Sequence, residues 1–341
     1  MTKTLKIGFI YFHGLGDNIL TFESLYALKM IYHCELFVFG NALFKNLLAH
    51  CDFVDEVYDI QNDIRSHLDL INSCNLDYII LPKCTKIYLT PLLQSNVLKI
   101  LTPTKIPALL SKKCKTPSIF SFLRYRNASM REKPLFLVRL INPKLFDSHI
   151  SKIVLSQAKI CTSITHQNKI SNFLQKSVKE GDHLILINPF AITSSHNLSI
   201  EAYLKLAHYV STLPSCIPLI VTYSKVTQEF DEALKHFQQH TKLHSLIIFE
   251  NDEDILNLAE LIFHTTCVIS PSTGIIHLAS NLSIPTIGLY PKTHIPQWET
   301  KDKRYVFIKS PKDQITPKEE EEILDQTMAL LKSILPSIPY L

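Results

Sequence analysis

No run of apolar residues reaches the roughly 18 to 20 that a membrane-spanning helix requires, so the chain is expected to be soluble. Nor does it contain a CxxC pair. Its eight cysteines, Cys34, Cys51, Cys74, Cys84, Cys114, Cys161, Cys216 and Cys267, are scattered, mostly in apolar segments where a thiol behaves as a small hydrophobe. That usage points to a reducing compartment and against a zinc site. Fifteen histidines are equally dispersed, with no HExxH and no spacing with carboxylates that makes a metal site convincing, so no metal is expected. No repeat of 20 to 50 residues is visible, which sets aside the solenoid folds. Acidic residues are scarce in one region: residues 105–152 hold eleven Lys or Arg against only Glu132 and Asp147. Such a segment is a solvated basic face, or it meets an acidic substrate, a membrane surface or nucleic acid. Nucleic acid is excluded as a partner, because no recognisable binding motif accompanies the charge. The apolar stretch within Met1 to Phe12 is short and runs into a Gly-rich turn instead of a cleavage site, so it reads as a first strand and not a signal.

What is present is a globular composition, 46% hydrophobic and 19% charged, in 341 residues. One core seldom grows that far, which predicts two domains of about 150 to 180 residues. Short apolar runs alternate with helix-period segments through the first hundred residues: Lys6 to Tyr11, Ile19 to Ile31, Glu35 to Phe39, Ala42 to Ala49, Glu56 to Ile60, Ile64 to Ile71 and Tyr78 to Leu81. The rhythm resumes from Leu184 with strands at 184–188, 218–222, 245–249, 267–270 and 286–289, and helices at 200–213, 227–241 and 253–263. This βα alternation predicts an α/β protein of two doubly wound Rossmann-like domains, 1–170 and 171–341, with ligand sites beyond the carboxyl ends of the strands. Between them, residues 103–150 carry five prolines and lose the rhythm, which reads as a basic insert in the first domain. The tail from Thr316 to Leu335, with Thr316 as N-cap and Pro317 at the first position, is expected to be a helix packed on one of the domains, the first included.

Three segments carry chemistry. His13-Gly14-Leu15-Gly16-Asp17-Asn18 forms a turn after the first strand, where Gly14 and Gly16 let backbone bend tightly and approach a ligand. It is not the dinucleotide fingerprint, because position 19 is Ile where the third glycine would fall. Asp17 is either a helix N-cap or a general base that accepts a proton from an attacking hydroxyl. Ser272-Thr273-Gly274, with His277 one turn on, opens a helix after strand 267–270. It is either an ordinary capped helix with a satisfied histidine or a cradle for a diphosphate at the positive helix end. The loop 189–197 adds the hydroxyls of Thr193, Ser194 and Ser195, the imidazole of His196 and an amide.

Taken in order, these segments resemble glycosyltransferase family 9, the family of the ADP-heptose lipopolysaccharide heptosyltransferases. Gly14-Leu15-Gly16-Asp17-Asn18-Ile19-Leu20-Thr21 is similar to the family's opening G-x-G-D-x-[LI]-[LM]-[TS], and Ser272-Thr273-Gly274-Ile275-Ile276-His277-Leu278-Ala279 to its D-T-G-x-x-H-L-A. Residues 284–290 resemble the P-[TV]-[IV]-x-[LI]-[FY] that follows. The resemblance implies a GT-B fold, with acceptor in the N-terminal domain and nucleotide-sugar donor in the C-terminal one. It implies inverting, metal-independent transfer of a sugar, heptose from ADP-heptose first among donors, onto a lipopolysaccharide core or related glycan. Asp17 is then the general base. Ser194, Ser195, His196, Glu229, Ser272, Thr273, Gly274 and His277 bind the donor. Gly14 and Gly16, with Lys112, Lys113, Lys115, Arg124 and Arg126, meet an acidic, lipid-linked acceptor. No cofactor is implied. The interleaved Phe120, Phe122 and Tyr125 would suit peripheral contact with the inner membrane from a cytoplasmic location. Two departures stand out: Ser272 replaces the family's usual Asp, and His196 or Asn197 lies near the position of a donor-contacting Lys. A sugar-nucleotide-binding protein without activity and a nucleotide-sugar epimerase or hydrolase of the same architecture are the alternatives.

Overall fold

The apolar runs of the first half become six parallel strands, β1 (Lys6–Ile10), β2 (Glu35–Gly40), β3 (Glu56–Asp59), β4 (Tyr78–Ile80), β5 (Lys99–Leu101) and β6 (Cys114–Lys115), in the order β3-β2-β1-β4-β5-β6. The second half builds β7 (His183–Ile187), β8 (Cys216–Thr222), β9 (Ile247–Glu250), β10 (Cys267–Pro271), β11 (Thr286–Tyr290) and β12 (Tyr305–Phe307) in the order β12-β11-β10-β7-β8-β9. Counted within its own half, each sheet has the same strand order and is parallel throughout. The central strands β1, β2, β7 and β10 are near-continuous apolar segments because helices cover both faces. In this computed structural model residues 4–191, 194–251 and 254–335 are described. The expected two doubly wound α/β domains are therefore found.

Contacts divide the chain into Met1–Cys161 and Thr162–Leu341. The boundary expected after residue 170 falls inside the helix Ile164–Leu174, which packs on the helix Ile255–Phe263 of the second unit. Ser163 and His166 close a capping box on that helix, Thr162 Oγ1 donates to Glu260 Oε2 at 2.5 Å, and His166 Nε2 lies 3.2 Å from Asp254 Oδ2. These bonds join residues 162–174 to the second unit. The C-terminal helix Pro317–Ile334 begins at the expected cap, with Thr316 accepting from Glu319 N. Its Ile323, Leu324 and Leu331 are buried in the core of the second unit with Ile185, Leu206 and Ile287.

Residues 103–150 differ from expectation. Instead of an irregular insert they complete the first sheet with β6 and add the helices Ile119–Asn127, Glu132–Arg139 and Pro143–His149. The prolines misled because several of them start helices. Pro107 and Pro143 occupy the first positions of the helices Ile106–Leu109 and Pro143–His149, where an N–H has no intrahelical partner to lose.

Candidate active site

In each sheet the strand order reverses beside the first strand of its half, and ligand sites in such sheets form at the carboxyl ends of strands around that point. In the first unit this places the β1 turn. The helix after it, Leu15–Leu20, has Gly14 at its N-cap position, so Asp17 lies in the first helical turn and is not the N-cap. Gly14 has φ −74° and ψ 180°, a conformation open to any residue, and a Cβ there would meet nothing within 4 Å. The glycine thus leaves open space at the helix start instead of supplying a strained turn.

The turn is pinned from behind. The His13 carbonyl accepts from Asn18 Nδ2 at 3.0 Å and from Asn41 Nδ2 at 3.1 Å, and Asn41 also caps the next helix by accepting from Phe44 N. His13 Nδ1 lies 3.3 Å from Asp17 Oδ2, with both side chains about one-fifth exposed, while Asp17 Oδ1 is shielded from solvent and has no hydrogen-bond partner among the described residues. The Tyr11 ring sits 4.4 Å from the His13 ring. Burial first, then the charges of Asp17 and Tyr125, hold the Tyr11 phenol far above its ordinary range, so it remains neutral. A carboxylate oriented by an imidazole and about one-fifth exposed can accept a proton from a hydroxyl brought to it. Tyr11 and His13 are the members of this group that sequence reasoning did not single out; the i, i+4 spacing of His13 to Asp17 was the available signal.

In the second unit the equivalent position brings together β7 and β10. Asn188, fully buried at the end of β7, donates from Nδ2 to Ser270 Oγ at 3.0 Å, Thr273 Oγ1 at 3.2 Å and Phe190 O at 3.2 Å, and its Oδ1 accepts from Phe190 N. Thr273 stands at the N-cap of the helix Gly274–Leu282, but its side chain does not cap that helix; it is turned to Asn188 and Ser270. The first backbone N–H groups of the helix therefore retain their capacity to bind an anion. His277 is buried one turn on, its ring 6.2 Å from that of Trp298. Ser272 hydrogen-bonds Tyr290, whose phenol burial pushes far up and that bond draws partly back.

A pocket of about 190 Å³ adjoins this cradle through Phe190 and is lined by Pro189, Ala191, Asn197, Tyr223, Val226, Glu229 and Lys312, among others. Ser194 and His196 are held by local bonds, Ser194 Oγ donating to His196 O at 3.0 Å, and the Lys312 backbone N–H donates to Ser195 O at 2.6 Å. Ile192 and Thr193 of that loop lie outside the described residues, as does Glu253 of the expected helix 253–263. Of these candidates Glu229 lines the pocket, Ser195 is bonded to the lining residue Lys312, Ser194 and His196 flank it in the same loop, and Ser272, Thr273, Gly274 and His277 lie at the adjoining helix start. Asn188, Tyr223 and Lys312 were not among the candidates. Lys312 carries no local signal, since it follows β12, far along the chain from the loop it meets.

The basic candidates separate. Lys113 Nζ donates to the carbonyls of Ser95 and Leu93, and Lys115 Nζ to that of Leu140, so both ammonium groups tie backbone segments together; burial also lowers the Lys113 pKa. Arg124 lies over the Phe136 ring at 5.5 Å and Tyr125 is buried. Lys112 and Arg126 are exposed. Among the described residues no group of three or more His, Cys, Asp or Glu is placed to hold a metal, and no helix is long and apolar enough to cross a membrane.

The model of glycosyltransferase family 9 (heptosyltransferase) matches residues 143–328, just over half of the chain and most of the second unit; the Asp17 turn lies outside the match. Comparison with curated protein sequences gives no match. Among solved structures, a family 9 glycosyl transferase from Veillonella parvula DSM 2008 is similar with TM-score 0.74 at 12% identity, covering 98% of this chain and 99% of that one. The E. coli ADP-heptose lps heptosyltransferase II is similar with TM-score 0.71 at 15% identity, covering 96% and 99%. The E. coli heptosyltransferase WaaC with ADP is similar with TM-score 0.67 at 11% identity, covering 97% and 100%. At these identities the likeness establishes the fold, a GT-B pair of doubly wound units.

Proposed function

The chain belongs to glycosyltransferase family 9, and from that premise we propose that it is an inverting, metal-independent transferase that moves heptose from ADP-heptose onto an acidic, lipid-linked surface glycan such as a lipopolysaccharide core. The observation that carries the chemistry is Asp17, placed in the first helical turn after β1, oriented by His13 and about one-fifth exposed. Asp17 takes the proton of the acceptor hydroxyl as its oxygen attacks the anomeric carbon and the bond to the nucleoside diphosphate breaks. The diphosphate receives the N–H groups at the start of Gly274–Leu282, with Thr273 and His277 beside it, which stabilise the charge that develops on departure. The nucleoside occupies the adjoining pocket, where Glu229 receives ribose hydroxyls and Lys312 supplies the fixed positive charge that the 194–197 loop lacks.

The acceptor reading draws on the first unit. Residues 78–131 contain no Asp or Glu and ten Lys or Arg. The same region exposes Leu98, Ile106, Leu109, Leu110, Phe120 and Leu123, with Phe120 93% and Leu110 83% accessible. Thr104 Oγ1 donates to Pro117 O at 3.2 Å, which sets the starts of the helices Ile106–Leu109 and Ile119–Asn127 side by side. Basic charge with exposed apolar side chains suits an anionic bilayer surface on which a lipid-linked acceptor is anchored. Phe120, Leu110, Lys112 and Arg126 are its contacts, in place of Tyr125, Lys113 and Lys115, which are engaged within the unit.

Transfer from ADP-heptose to core acceptors, compared between wild type and Asp17→Asn, tests the chemistry. A loss of about two to four orders of magnitude in kcat with donor affinity retained is expected. Equal turnover would remove Asp17 as the base, and donor binding without transfer by the wild type would sink the proposal. Co-sedimentation with anionic vesicles tests the surface: Phe120→Ser with Leu110→Ser should abolish binding that zwitterionic vesicles do not support, and undiminished binding would refute it.

A further inference from the structure

Cys51 and Cys161 are far apart in sequence and meet in the first unit. Cys51 follows the helix Ala42–Leu48 and is buried, whereas Cys161, the last residue of the unit, is exposed. Both sulfurs approach one acceptor: Cys51 Sγ and Cys161 Sγ each lie 3.7 Å from Lys159 O, and each thiol shifts the titration of the other. Their arrangement is unequal. The exposed sulfur is open to a small reagent, and the buried one reaches the same carbonyl from within the unit. Of the other six cysteines four are buried.

We propose that Cys51 and Cys161 form a reactive dithiol, a modification site at which a low-molecular-weight disulfide is reduced and an intramolecular disulfide is left in the protein. The Cys161 thiolate attacks one sulfur of the reagent, breaking its S–S bond and expelling one thiolate, which takes up the proton that Cys161 released. Cys51 then gives up its proton and attacks the Cys161 sulfur of the mixed disulfide, expelling the second thiolate. Two protein thiols are oxidised by two electrons, and one reagent disulfide becomes two thiols. The roles follow from the electrostatics. The hydrogen bond from Cys51 draws the Cys161 thiol down to about 7, which makes it the attacking thiolate near neutral pH. That same bond first, and burial second, push the Cys51 thiol up, so it stays protonated until the mixed disulfide forms. Closure fastens the chain, at the point where it leaves the first unit, to the segment behind β2.

The test uses the full chain and glutathione disulfide, followed by intact mass and peptide mapping. Wild type should lose two hydrogens and give a linked peptide containing Cys51 and Cys161, at a rate that rises as pH passes through 7. Cys51→Ser, which keeps a donor but cannot form the second disulfide, should instead accumulate one glutathione adduct on Cys161. Cys161→Ser should leave Cys51 unmodified. Cys51→Ala, which has no proton to donate, should lower the rate of Cys161 alkylation at pH 7 roughly tenfold as the thiol returns toward an ordinary pKa, and far-ultraviolet circular dichroism with the thermal transition of the whole chain checks that each variant is folded. A wild type that holds a stable glutathione adduct on Cys161, or in which other cysteines react while Cys161 does not, would overturn the proposal.

Discussion

Replacing Asn188 by alanine gives a sharp measure of the stitch between β7 and β10. The amide serves four partners from a position that is 1% exposed. Ser270 and Thr273 would still have each other, their hydroxyls 3.0 Å apart. The Phe190 N–H, and the Phe190 carbonyl on the side facing Asn188, would lose this partner where water has little access. At about 1 to 3 kcal/mol for each buried polar group left unmade, and allowing for partial relaxation, Asn188→Ala should cost the second unit about 2 to 4 kcal/mol. Two units need not unfold together, so a probe confined to one is required. Trp298, the single tryptophan of the chain, lies in the second unit and supplies it. With a urea slope of about 2 kcal/mol per molar, the fluorescence midpoint should fall by roughly 1 to 2 M. Asn188→Asp preserves the acceptor for Phe190 N–H and should fall less, while its added negative charge beside Thr273 should weaken nucleotide binding more than alanine does. A midpoint unchanged in Asn188→Ala would show that the amide's bonds are replaced at no cost, and the account of this cradle would fail.

Two further outcomes follow from the same unit. A Cβ at Gly288 would lie 2.5 Å from Tyr290 Cε2 and 2.9 Å from Tyr305 Cδ1, between rings 5.0 Å apart, so Gly288→Ala should lower the Trp298-reported stability by about 1 to 3 kcal/mol; an unchanged midpoint would mean the rings move aside freely. Burial, and then the neighbouring His196, hold His294 below the ordinary histidine value. A depressed folded pKa contributes stability in full above the unfolded value of about 6.5, and that stability is lost as pH falls from there through the folded pKa. His294→Gln should flatten this acid-side limb of the urea midpoint without changing its value at pH 8, and a limb of unaltered slope would assign it to other groups.

The long buried strands were readable because apolar runs such as Leu184 to Ile187 admit few other structures, and the Thr316 cap was readable because its signal is local. Strands β5, β6 and β12 were missed for the converse reason: each has two or three residues and is defined by its neighbour instead of its own pattern. The site divided in the same way. Asp17, Thr273 and Gly274 belong to turns whose chemistry is local, although the structure moves the cap from Asp17 to Gly14. Lys312 reaches the pocket beside Phe190 by way of β12, and the separate engagements of Lys113 and Lys115 depend on where the carbonyls of residues 93, 95 and 140 arrive. No spacing along the chain encodes those meetings.

The shared strand order of the two sheets has an implication for how such a protein can change. The Asp17 turn follows the first strand of one half, and the Asn188 loop follows the first strand of the other. One address in a common plan has been furnished in one half with a carboxylate and an imidazole, and in the other with amides and hydroxyls. Because the furnishing lies in loops while the address is fixed by buried strands, either half can be re-equipped without redrawing the scaffold, and a change at one address need not entail a change at the other.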